Sequence, residues 1–164
     1  MWYNVLDMEQ VTVYATSASK KELEKRLEAM IAKRGEVAAM IKEAREFGDL
    51  KENAEYAAAR EAQNNLETEI NEITAMIPNI KLFSYAKAPT DVVGLGSKVT
   101  VEVKGNKMDF VITGILDSDI EKGYVSNVSP IGSALIGQKK GAQVEVKVPA
   151  GKTVYKILKI AAGE

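Results

Sequence analysis

The chain has 164 residues, 46% hydrophobic and 27% charged, with a net charge of −1; this is the profile of a soluble folded protein with one large domain or two small ones. It contains no cysteine and no histidine, which excludes disulfides, thiol chemistry, histidine-based triads and the usual zinc sites. Any metal would be bound by oxygen, which points to Mg²⁺, Mn²⁺ or Ca²⁺.

No apolar run approaches the roughly 18 residues of a membrane span. No Lys or Arg precedes Lys20, so the start lacks the pattern of a secretory signal. A cytoplasmic protein without membrane contact is expected. Charge is uneven along the chain. Residues 1–84 carry 11 basic side chains against 15 acidic, and residues 85–164 carry 11 against 8. Neither half is basic enough for tight, independent binding of nucleic acid.

Residues 1–18 read as an N-terminal extension. Trp2, Tyr3, Val5, Leu6, Val11, Val13 and Tyr14 are apolar but have no helical period. Val11–Tyr14 suits a short strand or an extended lead-in. Ser17 or Ser19 would cap the next helix, and Glu22 would complete a capping box with Ser19.

Residues 19–78 predict an antiparallel coiled-coil hairpin. One seam runs Leu23, Leu27, Met30, Arg34, Val37, Ile41, Ala44, and a second runs Tyr56, Ala59, Gln63, Leu66, Ile70, Ile73, Ile77. Both follow the alternating three-and-four spacing of a heptad. The series mirror each other: Ala44 pairs with Tyr56, Ile41 with Ala59, and so on to Leu23 with Ile77, each pair of numbers totalling 100. A constant total is what an antiparallel hairpin requires. Each arm should be about 40 Å long at 1.5 Å per residue. Arg34 should lay its stem over the seam and send its guanidinium outward.

Pro78 ends the second arm, and residues 79–97 read as a linker. Residues 98–164 predict a small antiparallel sheet with one short helix. Strands are expected at Val99–Val103, Met108–Leu116, Tyr124–Val128, Val144–Val148 and Thr153–Ile160, with a turn at Gly105-Asn106. Ser129 would cap a short helix with Pro130 in its first turn, and Gly137 would close it. The fold class is therefore α+β.

Between the arms lies Phe47-Gly48-Asp49-Leu50-Lys51-Glu52-Asn53-Ala54-Glu55-Tyr56. Gly48 suits the left-handed end of the first helix. Asp49 and Glu52 suit a cap and capping box for the second. That reading needs no function. However, Asp49, Glu52 and Glu55 fall within seven residues, and acids spaced by three share a helix face. Phe47 and Leu50 would be apolar groups beside them, as on a contact surface. A long thin hairpin suits a turn that must reach into something narrow. Two carboxylates with open positions suit a Mg²⁺ site that a partner completes.

Residues 44–61, Ala-Arg-Glu-Phe-Gly-Asp-Leu-Lys-Glu-Asn-Ala-Glu-Tyr-Ala-Ala-Ala-Arg-Glu, resemble the signature of the bacterial Gre transcript cleavage factors. Val128-Ser129-Pro130-Ile131, Leu135-Ile136-Gly137 and Val148-Pro149-Ala150-Gly151 resemble that family's C-terminal signature. The likeness spans roughly residues 19–160 and is nearer the GreA branch than the GreB branch. It implies a coiled-coil hairpin followed by a domain of FKBP-like fold, in a monomer. It also implies entry into the secondary channel of bacterial RNA polymerase, where the nascent RNA 3′ end is extruded on backtracking.

The family's two key acids match Asp49 and Glu52, which would hold a Mg²⁺ shared with the polymerase. The resemblance implies no nuclease activity, and no bound metal, in the protein alone. Asn53, Glu55, Tyr56, Phe47 and Leu50 would support the tip, although Tyr56 equally suits closure of the seam against Ala44. Lys33, Arg34, Arg45 and Arg60 correspond approximately to a basic patch that contacts RNA; a solvated face with local ion pairs is the alternative. Ser129, Pro130 and Ile131 fall where the family docks on the polymerase rim, or they simply form a helix cap.

Two departures stand out. Gly35 replaces a proline usual in the first arm, and residues 1–18 exceed the family's short lead-in. A channel-blocking inhibitor, an FKBP-like isomerase or chaperone, and a plain coiled-coil scaffold are competing functions. The intact acid pair favours cleavage over inhibition. The few aromatics after residue 98 disfavour a proline pocket. Gly151-Lys152-Thr153 lacks the upstream glycine of a phosphate-binding loop.

Overall fold

A computed structural model describes residues 12–46, 50–148 and 151–163, with the side chains of residues 50–53 and 148 outside the described part. The chain forms two compact units. One is Lys20–Asn79, and the other joins the described part of Met1–Ser19 to Ile80–Glu164.

The first unit is a helical hairpin. Helix α1 spans Ser17–Glu46 and helix α2 spans Leu50–Met76, leaving a three-residue connection at 47–49. The mirrored heptads account for its packing. Met30, Ile41, Ala44, Ala59, Ile70 and Ile73 are buried. Leu23, Leu27, Val37, Tyr56, Gln63, Leu66 and Ile77 are half-buried. Met30, Ile70 and Ile73 form a cluster, with Leu23, Leu27, Leu66 and Ile77 packed against it. Burying a large aliphatic side chain contributes about 1.5–3 kcal/mol, so this seam holds arms whose outer faces are charged. Arg34 is the one seam position left exposed. α1 runs through Gly35 without interruption.

In the second unit, strands β1 (Val13–Ala15) and β2 (Ile80–Leu82) pair in parallel. Strands β3 (Ser97–Val103), β4 (Asn106–Thr113), β5 (Tyr124–Ser126), β6 (Gln143–Val148) and β7 (Gly151–Ala162) form one sheet in the order β5-β4-β3-β7-β6. Helix α3 spans Pro130–Leu135. Alternation along the strands sends Val99, Val101, Phe110, Ile112, Val125, Val146, Tyr155 and Ile157 into a core that also holds Val93 and Leu135. No described helix is long and apolar enough to cross a membrane.

Several expectations need correction. The sheet is antiparallel except that β4 and β5 run parallel. Met108–Leu116 stops being a strand at Thr113, and 3-10 turns at Ile115–Asp117 and Ile120–Lys122 carry the chain over before β5. The hairpin turn between β3 and β4 is Lys104-Gly105 rather than Gly105-Asn106. Val103 pairs with Asn106, and both central residues have positive φ, 50° and 82°, as the tightest hairpin turns demand. Residues 80–97, read as linker, carry β2 and a 3-10 turn at Tyr85–Lys87 and pack within the sheet unit.

The cap of α1 is Thr16, neither Ser17 nor Ser19. The Thr16 hydroxyl oxygen accepts from the Ser19 backbone N–H at 3.2 Å. Asp117 reinforces it from 101 residues away. One carboxylate oxygen accepts from the Thr16 backbone N–H at 3.0 Å. The other accepts from the hydroxyls of Thr16 at 2.6 Å and Ser19 at 2.5 Å. A negative charge here also suits the helix's N-terminal dipole. β1 lies so close to Gly114 that a Cβ there would come within 1.7 Å of the Tyr14 carbonyl oxygen.

Candidate functional site

Asp49 and Phe47, with Gly48, lie outside the described residues. Leu50, Glu52 and Asn53 open α2, but their side chains lie outside the described part. Glu55 is exposed on α2 and Tyr56 is half-buried. Among the described residues, no group of three or more acidic side chains could hold a metal ion.

The four predicted basic residues occupy different surroundings. Arg45 stands in the last turn of α1, where a cation is favoured by the helix dipole. It reaches across to Tyr56. Its Nη2 donates to the phenol oxygen at 3.4 Å, and its guanidinium carbon lies 5.6 Å from the ring centre. The hydrogen bond from Arg45, and then its charge, hold the phenol below the ordinary tyrosine range.

Arg34 is bound in a two-pronged pair across the hairpin. Nε donates to one Glu67 oxygen at 2.8 Å and Nη2 to the other at 2.6 Å. Those bonds hold the Glu67 carboxyl below the usual carboxylate range. Arg34 does turn its guanidinium away from the seam, but the neighbouring arm takes up that group.

Arg60 donates to Gln63 one turn along α2. Lys33 is exposed and forms no ion pair among the described residues. It lines a shallow groove with Arg26, Met30, Met40 and Leu66. Among the described residues, Arg34 alone of the four is paired with an acid; Arg45 is engaged by a phenol across the hairpin, and Lys33 and Arg60 make no bond across it.

Ser129, Pro130 and Ile131 form the start of α3 as the cap reading expects. The Ser129 hydroxyl accepts from Gly132 N–H at 3.0 Å and donates to the Ser126 carbonyl at 2.7 Å. Ile131 packs on the sheet core. Of the three, Pro130 is the exposed one, and Ser129 and Ile131 are half-buried.

The inter-arm pairs Arg34–Glu67 and Arg45–Tyr56 were not expected from the sequence, yet a signal existed. Their residue numbers total 101, one step off the seam register, where flanking side chains of an antiparallel hairpin meet.

Two family models match the chain. "Transcription elongation factor, GreA/GreB, C-term" covers residues 88–162, and "Transcription elongation factor, N-terminal" covers residues 13–82. The second match begins inside residues 1–18, so β1 and Thr16 fall within the matched residues. Transcription elongation factor GreA of Streptococcus gordonii is 40% identical over 156 residues, 93% of this chain and 98% of that protein. Its counterpart in Clostridium acetobutylicum is 42% identical over 143 residues, 85% and 90% of the two chains. Among solved structures, GreA factor homolog 1 of Thermus thermophilus covers 92% of this chain and 99% of that one, with 22% identity and a TM-score of 0.42.

Proposed function

The chain belongs to the GreA/GreB family of transcription elongation factors, and from that premise we propose that it acts on bacterial RNA polymerase by entering its secondary channel. There it stimulates the polymerase's own Mg²⁺-dependent cleavage of backtracked RNA 3′ ends and so rescues arrested complexes. The observation that carries this reading is the hairpin. Its seam continues to buried Ala44 on one arm and half-buried Tyr56 on the other, close to the ends of α1 and α2 that flank residues 47–49. A probe of about 40 Å with two acids in the sequence at its turn suits a narrow channel better than a scaffold.

Asp49 and Glu52 supply hard oxygen donors of the kind Mg²⁺ takes, and two carboxylates leave coordination positions for a partner's ligands. When bound, the ion would lower the pKa of an attacking water and neutralise charge developing on the phosphate. The chain's own part is to deliver the two carboxylates and to orient the water. Two carboxylates alone hold Mg²⁺ weakly, so the free protein is no nuclease. Lys33 and Arg60, exposed and with no bond across the hairpin among the described residues, are the side chains best suited to attract the extruded RNA. Pro130 is available for docking, and Ser129 shapes the turn that presents it.

The test is to add the protein with Mg²⁺ to backtracked bacterial elongation complexes and to look for short RNA fragments bearing the 3′ end. Their release, with none from the protein and RNA alone, supports the reading. Binding that protects the complex without cleavage would replace it with an inhibitor.

A further inference from the structure

The Arg45–Tyr56 contact lies where the hairpin is most demanding. Arg45 is one residue from the end of α1, and Tyr56 lies in the second turn of α2. The buried seam beneath them ends on Ala44, with Ile41 and Ala59 one layer further in. Alanines bury little surface, so the aliphatic seam holds the arms less firmly here than at Met30 and Ile70. The cation–ring contact and the hydrogen bond compensate at that point. Both engage the Arg45 guanidinium, which stands over the Tyr56 ring and donates from Nη2 to its hydroxyl. A cation over an aromatic ring within about 6 Å is attractive even at an exposed site.

We propose that Arg45 is a positioning residue: by holding Tyr56 across the end of the seam, it fixes the opening turns of α2, with Glu52 one turn before Tyr56, against α1. It is not itself an RNA contact. This rests on the cleavage role proposed above and assigns one of the four basic residues a different task within it. Among the described residues, the charged groups that act on the Tyr56 phenol are Arg45 and, more weakly, Arg60. Tyr56 is thereby more than a seam residue.

Two measurements test this. In the free protein, the Tyr56 phenol is titrated by NMR on labelled tyrosine, with Tyr56→Phe identifying its signal. Arg45→Gln should move that titration upward, toward the ordinary tyrosine value of about 10. In backtracked elongation complexes, Arg45→Gln and Tyr56→Leu should each slow cleavage on the order of tenfold, since small misplacements of reacting groups are costly. The double variant should be no slower than either single one, because both remove the same contact. Tyr56→Phe, which keeps the ring, should retain most of the rate. Circular dichroism confirms that each variant remains helical.

An unchanged phenol titration in Arg45→Gln would overturn the clamp. Multiplying effects in the double variant would return Arg45 to the RNA. If the unmodified protein supports no cleavage, the parent reading falls and the clamp loses its assigned purpose. The titration then still decides whether the clamp exists.

Discussion

Asp117→Ala should detach the start of the chain from the sheet unit. The Asp117 carboxylate accepts three hydrogen bonds, from the Thr16 backbone N–H and from the hydroxyls of Thr16 and Ser19. Bonds to a charged acceptor are worth about 1.5–3 kcal/mol each, but the site is only part-buried, and water will reach the two hydroxyls once the carboxylate is gone. The backbone N–H is the harder loss, and a helix cap is worth about 0.5–2 kcal/mol. Together these give about 2–3 kcal/mol. Asp117→Asn keeps one acceptor oxygen and should lose about half as much. Equilibrium urea unfolding at neutral pH measures the total. Hydrogen exchange at the Phe83 amide, which donates to the Ala15 carbonyl at 3.1 Å, reports on β1 itself. A loss within about 0.5 kcal/mol, the range of ordinary surface changes, with Phe83 protection intact, would refute the reasoning.

Three further outcomes are expected. A Cβ on Gly35 would meet nothing within 4 Å, so Gly35→Ala should stabilise the hairpin by about 1 kcal/mol; a fall in its urea midpoint would show a constraint on that glycine. Ile70 is 4% exposed in the seam, and Ile70→Ala should cost about 2–5 kcal/mol in urea unfolding, whereas a near-neutral result would contradict the seam. The bond from Arg34 holds the Glu67 carboxyl below its ordinary range. Its contribution is therefore present above the unfolded-state value of about 4.3 and is lost as pH falls through the lower folded value. The hairpin's urea midpoint should drop over that acid window, and by less in Arg34→Gln. An equal drop in both proteins would exclude the pair as the cause.

The hairpin was legible because its stability is periodic. A heptad records burial in residue spacing, and mirrored numbering records antiparallel pairing. The Arg34–Glu67 and Arg45–Tyr56 contacts follow from the same register once it is extended by one step. What could not be read were contacts between distant segments. Nothing in Asp117 marks it as the partner of Thr16, and Gly114 looks like a turn residue until β1 is laid against it. The parallel pairing of β4 with β5 was hidden for a similar reason, because strand direction depends on the path of the intervening chain. For the site, residue type and position at the turn suggested acid chemistry and a cap equally well. The family match over residues 13–82 and 88–162 favours a transcriptional role for the chain.

The central claim rests on Asp49 and Glu52, and cleavage by backtracked polymerase tests it most directly. Rates are measured with the unmodified protein, Asp49→Ala and Glu52→Ala at matched occupancy of the polymerase. The account predicts that the unmodified protein speeds release of 3′ RNA fragments and that both variants bind but bring the rate back to that of polymerase alone. Cleavage that persists undiminished in either variant would contradict it.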